Sequence, residues 1–164
     1  MAQVANLSSF GDNAIAPQED APSPHVDARR RGEILLIEDR DDVREGLAQL
    51  LELQGFMVTE VSDADHGMRE LAAQPHGFAL IILDLLLPGP VSGLDFRARQ
   101  LADPQLATIP TIVITATDVD GNDRARLRAD GWLDKPFRFD SLLGLVKRYV
   151  IHETQGLIAV DWRV

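Results

Sequence analysis

The fold is decided by the stretch Leu80-Ile-Ile-Leu-Asp-Leu-Leu-Leu-Pro-Gly89, in which one aspartate interrupts a run of apolar residues. The run begins upstream, and residues 78–83 are all apolar. A short, uniformly apolar run is typical of a parallel strand that is covered on both faces. Pro88 and Gly89 follow the run, and proline and glycine are typical of turns. Asp84 is therefore predicted to stand at the carboxyl end of a buried strand.

Short apolar runs alternate with amphipathic stretches from residue 33 to residue 150. The alternation indicates repeated βα units, so we expect an α/β domain with a doubly wound, five-stranded parallel sheet. The predicted strands are residues 34–37, 56–61, 78–83, 111–114 and 132–133. The predicted helices are residues 42–54, 62–74, 92–103, 119–129 and 140–150.

Capping and helix-breaking residues bear on the predicted helices. Asp42 and Glu45 have capping-box spacing at the start of the first helix, and Ser92 and Asp95 have similar spacing at the start of the third. The fourth helix is the weakest, because Gly121 interrupts it. Helical periodicity predicts an inner face of the first helix made of Val43, Leu47, Leu50 and Leu51.

The chain divides into one domain and two tails. Residues 1–32 contain three prolines and no sustained periodicity, which predicts a flexible N-terminal tail before the domain of residues 33–150. Residues 151–164 form a C-terminal tail that is too short for an output domain. Its end, residues 157–164, is strand-like. It is predicted either to pack on its own domain or to add an edge strand that supports a homodimer.

Composition excludes several classes of function. The 164 residues suit one compact domain plus tails, and the absence of cysteine excludes disulfides, thiolate metal sites and cysteine nucleophiles. A formal charge of −10 argues against a nucleic-acid partner. No apolar run reaches the length of a membrane span, and no secretory signal is visible. We expect no membrane insertion and a cytoplasmic location.

Polar residues follow four of the predicted strands. Glu38 and Asp39 follow the first strand, Asp84 the third, Thr115 the fourth and Lys135 the fifth. Ligands of doubly wound sheets bind beyond the carboxyl ends of the strands. These five side chains are therefore predicted to converge on one site.

The convergent residues suggest phosphoryl chemistry. Three neighbouring carboxylates repel one another unless a cation or a proton neutralises them, and an all-oxygen cluster suits Mg²⁺ better than zinc. A carboxylate shielded in this way can attack phosphorus, so Asp84 is the predicted nucleophile. Lys135 and the hydroxyl of Thr115 would contact the oxygens of the resulting aspartyl phosphate.

Four stretches carry a resemblance to a known family. They are Ile34-Leu-Leu-Ile-Glu-Asp39, Leu80-Ile-Ile-Leu-Asp-Leu-Leu-Leu-Pro-Gly89, Ile112-Val-Ile-Thr-Ala116 and Gly131-Trp-Leu-Asp-Lys-Pro-Phe137. Together they resemble the receiver domain of bacterial two-component response regulators, of the stand-alone single-domain type. The resemblance implies a flavodoxin-like fold with the strand order 2-1-3-4-5.

The resemblance also implies roles for the acidic residues. Asp84 would accept a phosphoryl group from a histidine kinase or a histidine phosphotransfer protein. Mg²⁺ would be held by Glu38, Asp39, Asp84 and the backbone carbonyl of Leu86, with Asp39 a more direct ligand than Glu38. The class is signalling, with an unknown downstream protein target, rather than turnover enzyme.

Further implied roles concern the fourth and fifth strands. Thr115 and Lys135 would contact the phosphoryl group, and the Lys135-Pro136 bond is expected to be cis. Thr115 and Trp132 would form the conformational switch. Trp132 stands where the family more often has Tyr or Phe, so we expect either a partly permanent inward rotamer of this ring or a bias toward the active-like state. In the family, Leu86 and Thr117 occupy positions that tune hydrolysis of the phosphoryl group.

Two alternatives remain. A receiver-like interaction module that works without phosphate would be favoured by loss of an acidic residue or the lysine, and none is lost. A haloacid-dehalogenase-like phosphohydrolase usually carries a second Asp two positions after the nucleophile, where this chain has Leu86. Nearby, Arg124 and Arg128 are interpreted as a solvated helical face, and Arg128 stands where the family commonly has glycine.

Overall fold

The computed structural model describes residues 32–116 and 118–150. The predictions made for residues 1–31, for residue Thr117 and for residues 151–164 fall outside the described residues. None of the described helices is both long enough and apolar enough to cross a membrane.

Ten regular elements alternate along the described chain, and an unpredicted 3₁₀ helix at Leu106–Thr108 precedes the fourth strand. The strands are β1 Glu33–Ile37, β2 Val58–Val61, β3 Phe78–Asp84, β4 Thr111–Thr115 and β5 Gly131–Asp134. The helices are α1 Asp41–Leu53, α2 Ala64–Ala73, α3 Gly93–Ala102, α4 Gly121–Leu127 and α5 Phe139–Tyr149. All paired strands are parallel, and the sheet order is β2-β1-β3-β4-β5. The predicted fold class and strand order are confirmed.

The sheet buries two apolar layers, one on each face. Alternate residues of β1 show the division: Leu35 and Ile37 pack into one cluster, and Ile34 and Leu36 into the other. The first cluster is covered by α2, α3 and α4, and the second by α1 and α5. Every residue of β3 is buried, as expected for a central parallel strand between two layers.

The strand register places the polar strand ends together. Leu83 pairs with Ile37 and Asp84 pairs with Ile114, so β1, β3 and β4 end at nearly the same level. Thr115 pairs with Asp134, which brings the end of β5 to that level too. The chain moves to opposite sides of β1 when it enters β2 and β3, so the crevice of the fold lies beyond β1 and β3.

The start of α1 differs from the prediction. Asp42 does not cap the helix with Glu45, because the helix begins at Asp41 and its N-cap position is Arg40, without a side-chain cap. Asp42 lies one residue inside the first turn, and its carboxylate accepts a hydrogen bond from Arg40 at 2.8 Å. Its neighbour Asp41 pairs with Arg44 at 2.6 Å. The acidic first turn still suits the positive end of the helix dipole.

The start of α3 agrees with the prediction and touches the end of β3. Ser92 and Asp95 form a reciprocal capping box, which is confirmed. The next position, Gly93, admits no side chain, because a Cβ there would lie 2.6 Å from the Cα of Leu85 and against the carbonyl oxygen of Asp84. Glycine therefore lets α3 begin directly against the backbone of the strand that carries Asp84.

The outer surface of α1 is more apolar than its periodicity predicted. Leu47 and Leu51 are buried, whereas Leu50 is 41% exposed and Leu53 is 79% exposed. The sheet covers only the side of the helix that carries Leu47 and Leu51. The predicted inner position of Leu50 is wrong for this reason.

Helix α4 is shorter than predicted and ends in an uncommon conformation. It spans Gly121–Leu127, and the next residue, Arg128, is left-handed at φ 44° and ψ 41°. For a residue with a side chain this conformation costs about 1 kcal/mol or more. Arg97 of α3 compensates, since its guanidinium donates to the carbonyls of Leu127 and Arg128 at 2.7 Å each.

Arg97 is the centre of a buried polar network. Its Nη1 atom donates to Oε1 of Gln100 at 2.6 Å and to the hydroxyl of Thr111 at 2.8 Å. Burial lowers the pKa of Arg97, against the opposing charge of Asp130. The network joins α3, α4 and β4, and the sequence carried no signal for it.

Candidate functional site

Three carboxylates meet beyond the ends of β1 and β3. Glu38 and Asp84 are buried and Asp39 is half-buried. One oxygen from each of the three lies within 4.8 Å of the others. The sequence predicted this convergence, and the structure brings the three residues together.

Lys135 bridges two of these carboxylates. Its Nζ atom lies 2.6 Å from Oε2 of Glu38 and 2.5 Å from Oδ2 of Asp84. Burial alone would lower the pKa of Lys135, but the hydrogen bonds to Asp84 and Glu38 outweigh it and the pKa is raised. The ammonium therefore stays charged and partly neutralises the acidic cluster.

The surroundings of Glu38 raise the pKa of its carboxyl group. Burial raises its pKa, and the neighbouring charge of Asp84 adds to the effect, while the hydrogen bond from Lys135 opposes it. The backbone N–H of Arg40 donates to Oε1 of Glu38 at 3.4 Å. The cluster is therefore only partly compensated by protein groups, and a further positive charge would be favourable there.

The Asp84 carboxylate is held at both of its oxygens. The backbone N–H of Leu86 donates to Oδ1 of Asp84 at 2.9 Å, and Lys135 holds Oδ2. The Leu86 side chain is 52% exposed beside the site. The role of the Leu86 carbonyl as a metal ligand stays a prediction.

Thr115 and Lys135 are joined through the backbone. Thr115 is the buried last residue of β4, and its carbonyl accepts a 2.8 Å hydrogen bond from the backbone N–H of Lys135. The Lys135-Pro136 bond is cis, as expected. Thr115 and Lys135 thus lie at adjacent strand ends of the edge that carries Asp84.

Trp132 lies half-buried on β5, where it packs against the cluster beneath α4. The guanidinium carbon of Arg124 lies 4.6 Å from the centre of its ring. The Arg124 side chain is 39% exposed and also packs on this ring, so its interpretation as part of a solvated face holds only in part, whereas Arg126 is 84% exposed. The ring contact depends on where the fold places Arg124 of α4 relative to Trp132 of β5, which the helical periodicity of α4 cannot reveal.

Arg44 is a site residue that the sequence analysis missed. From α1 it donates to the backbone carbonyl of Glu38 at 3.0 Å, and it pairs with Asp41 at 2.6 Å and Glu60 at 3.6 Å. It therefore fixes the loop that carries Glu38. Arginine on an otherwise polar helix face gives no sequence signal of such a contact.

The donor set suits a hard divalent cation. Carboxylate oxygens from Glu38, Asp39 and Asp84 are the ligands that Mg²⁺ prefers, and nitrogen or sulfur ligands are absent from this described cluster. Asp84 also lies beside a lysine, the arrangement that shields a carboxylate from an anionic phosphoryl donor. The residues present therefore fit both a magnesium site and a phosphoryl acceptor.

Comparisons with known proteins agree with this geometry. A family model described as the response regulator receiver domain matches residues 34–147. The uncharacterized transcriptional regulatory protein YkoG of Bacillus subtilis is 33% identical over 123 residues, which cover 71% of this chain and 50% of YkoG. The chain spans about half the length of the curated relatives it matches.

Solved structures are also similar. The receiver domain of a signal transduction histidine kinase from Syntrophus aciditrophicus is 32% identical, with a TM-score of 0.63 over 71% of this chain and 88% of that one. The receiver domain of the sensor histidine kinase PA1611 from Pseudomonas aeruginosa is 25% identical, with a TM-score of 0.64 over 73% of this chain and 98% of that one. With its matched family model, its parallel sheet and its acidic crevice, the chain belongs to the response regulator receiver domain family.

Proposed function

We propose that the chain is a phosphorylation-controlled signalling switch whose acceptor is Asp84. The observation that carries the proposal is the position of the Asp84 carboxylate, held by the Leu86 N–H and Lys135 beside Glu38 and Asp39. The donor is the phosphohistidine of a histidine kinase or a histidine phosphotransfer protein. An oxygen of Asp84 attacks phosphorus, so an O–P bond forms while the P–N bond breaks and the imidazole takes up a proton.

Mg²⁺ is the proposed cofactor. Glu38, Asp39, Asp84 and the backbone carbonyl of Leu86 would hold it, and it would supply positive charge against the incoming phosphoryl oxygens. The cluster of three carboxylates supports this assignment. The similar receiver domain of PA1611 has a magnesium ion coordinated in its active site cleft.

Lys135 and Thr115 are proposed to bind the transferred group. Without a phosphoryl group, the Lys135 ammonium forms ion pairs with both Glu38 and Asp84. Phosphorylation of Asp84 would place stronger hydrogen-bond acceptors beside it. The Thr115 hydroxyl would donate to the same group from the end of β4. Because Thr115 and Trp132 lie on neighbouring strands, this step is the proposed link to the switch.

Two alternatives have less support. A phosphate-independent module has no need of a buried acceptor carboxylate, a lysine and a cluster of three carboxylates together, and this site combines all three. A haloacid-dehalogenase-like phosphohydrolase lacks its second Asp here, since Leu86 occupies that position. The class is therefore signalling, with output through protein contacts. A homodimer, the absence of a nucleic-acid partner and a cytoplasmic location stay predictions.

The test is phosphorylation by acetyl phosphate with and without Mg²⁺, followed by intact mass. We expect the parent to gain one phosphoryl group only with Mg²⁺, and Asp84→Asn to gain none. Asp140→Asn is the matched control, because Asp140 is an exposed carboxylate on α5 outside the acidic cluster. Beryllofluoride binding, followed by Trp132 fluorescence, covers receivers that accept only from their own kinase. Absence of both responses would overturn the proposal.

A further inference from the structure

The contact between Arg124 and Trp132 joins α4 to β5. Besides the 4.6 Å approach to the ring, the Arg124 guanidinium donates to the Val119 carbonyl at 3.3 Å and lies 3.5 Å from a carboxylate oxygen of Asp134. One side chain thus holds the loop before α4, the helix itself and two positions of β5. A planar cation over an indole ring is the strongest form of this contact among the aromatic side chains.

Of the contacts of Arg124 with Trp132, Asp134 and Val119, the contact with the Trp132 ring is the strongest. Asp134 is 75% exposed, so its ion pair with Arg124 is weakened by solvent and contributes little. The Val119 hydrogen bond is long at 3.3 Å. Trp132, in contrast, is half-buried against an apolar cluster, and this reduces competition from water.

Trp132 shares a sheet face with the site. It pairs with Val113, and the two residues belong to the same apolar cluster. Side chains alternate along a strand, so Thr115, two residues beyond Val113, projects from that same face. A change in the position of the Thr115 side chain therefore acts on the face of the sheet that carries Trp132 and α4.

Helix α4 has one fixed end. Arg97 anchors the carbonyls of Leu127 and Arg128 at 2.7 Å each, and the first of these contacts is buried and the second partly buried. Arg124 lies three residues before Leu127, close to one helical turn from the anchor. A displacement of α4 is therefore least restrained on its N-terminal side, and it would strain the contact of Arg124 with Trp132.

We propose that Arg124 is a positioning residue that holds Trp132 in place in the unphosphorylated chain and is released when the Asp84 site is occupied. The proposal rests on the proposed function, because occupation of Asp84 is what releases the contact. Arg124 stabilises one of two states, so its removal shifts the population toward the other. The predicted consequence is that Arg124 lowers the affinity of the site for phosphoryl analogues.

The experiment follows Trp132 fluorescence in the full chain carrying Trp162→Phe. The sequence has two tryptophans, so Trp132 is then the single reporter. Arg124→Met keeps much of the side-chain volume without the cation, and Arg124→Lys restores a cation. Arg126→Met is the matched control on the same helix, because Arg126 is 84% exposed. Beryllofluoride is titrated with Mg²⁺, and iodide quenching is measured without any ligand.

We expect Arg124→Met to bind beryllofluoride about two- to fivefold more tightly than the parent, which is the population shift expected from one exposed to partly buried cation–π contact. Its ligand-free quenching should move toward the value that the parent reaches with beryllofluoride. Arg124→Lys should return toward the parent, and Arg126→Met should match it. Equal or weaker affinity in Arg124→Met, or the same effect in Arg126→Met, would overturn the proposal.

Failure of the proposed function gives a different result from failure of the Arg124 proposal. If the parent gains no phosphoryl group on Asp84 and binds no beryllofluoride, the function fails. Iodide quenching of Trp132 fluorescence without ligand then tests the contact between Arg124 and Trp132 independently of phosphorylation. A change of quenching in Arg124→Met that Arg124→Lys reverses and Arg126→Met does not share supports Arg124 as the group that positions Trp132, and identical quenching in all variants rejects it.

Discussion

The Nε atom of Arg97, buried on α3, donates a 2.7 Å hydrogen bond to the carbonyl of Leu127, the last residue of α4. The same guanidinium holds Arg128 in its left-handed conformation and reaches Thr111 at the start of β4. A helix of seven residues has few internal hydrogen bonds, so this external contact supplies the partners its last carbonyls would otherwise lack.

Replacement of Arg97 should therefore destabilise the fold. In Arg97→Met the Leu127 and Arg128 carbonyls and the Thr111 hydroxyl lose a buried donor, and each such loss costs about 1–3 kcal/mol. We expect a fall of at least about 3 kcal/mol in the free energy of unfolding, measured by urea denaturation. Arg99→Met, an exposed change on the same helix, should shift it by less than about 0.5 kcal/mol. Equal midpoints for the two variants would contradict the prediction.

Gly93→Ala tests the close approach of α3 to the end of β3, which carries Asp84. The added Cβ would overlap the Asp84 carbonyl and the Leu85 backbone, so we expect a loss of about 1–3 kcal/mol of stability and slower phosphorylation of Asp84. Gly46→Ala is the control, because Gly46 lies in α1 with no atom within 4 Å of the added Cβ. It should gain about 0.5–1 kcal/mol from helix propensity. A stable, normally phosphorylated Gly93→Ala would show that α3 can move away.

Asp39→Asn should have opposite effects with and without metal. In EDTA the variant should melt at a higher temperature than the parent, because one charge leaves a cluster of three carboxylates. On addition of Mg²⁺ the parent should gain thermal stability through binding, and the variant should gain much less. Asp140→Asn should respond to Mg²⁺ as the parent does. A full magnesium response in Asp39→Asn would remove Asp39 from the proposed ligands.

The raised pKa of Lys135 predicts a loss of stability in alkali. The folded chain keeps the Lys135 proton more tightly than the unfolded chain, whose ordinary value is 10.5, so the contribution is fully present below that pH. It is lost as the pH rises through the higher pKa of the folded state. Tyr149 acts in the same direction, because burial and then the charge of Asp130 raise its pKa from 10.0.

Urea denaturation between pH 9 and pH 12, in a Tyr149→Phe background, measures the Lys135 contribution. Lys135→Arg retains its positive charge over this range and should show a shallower loss of stability than Lys135 does. The same slope in both proteins would show that Lys135 is not more strongly protonated in the folded state.

Leu86→Asn should shorten the lifetime of the phosphoryl group. The Leu86 side chain is 52% exposed next to Asp84 and cannot orient a water molecule, whereas an amide can. The lifetime is measured by loss of phosphoryl mass after removal of the donor. Leu94→Asn is the control, since Leu94 is similarly exposed at 42% on the first turn of α3. A longer lifetime in Leu86→Asn would refute the prediction.

Several features of the site were predictable because they depend on order along the chain. Asp84 follows an all-apolar strand, and Lys135 follows the fifth strand, so a parallel sheet necessarily brings both to one edge. The Ser92 capping box was equally local, since its two partners are three residues apart. The error at Asp42 was also local, because the helix start differs by one residue and turns a predicted cap into a first-turn carboxylate.

The sequence by itself determined the fold class, the strand order through a family resemblance, and the identities of the site residues, because apolar periodicity and strand-end positions are properties of the chain in order. The tertiary structure alone decided which cations pair across elements. Arg97 meets Leu127 across 30 residues, and Arg124 reaches Trp132 from another element. Such contacts depend on how the helices pack on the sheet. The sequence pattern around a single arginine in a helix is the same whether its side chain faces solvent or a buried carbonyl.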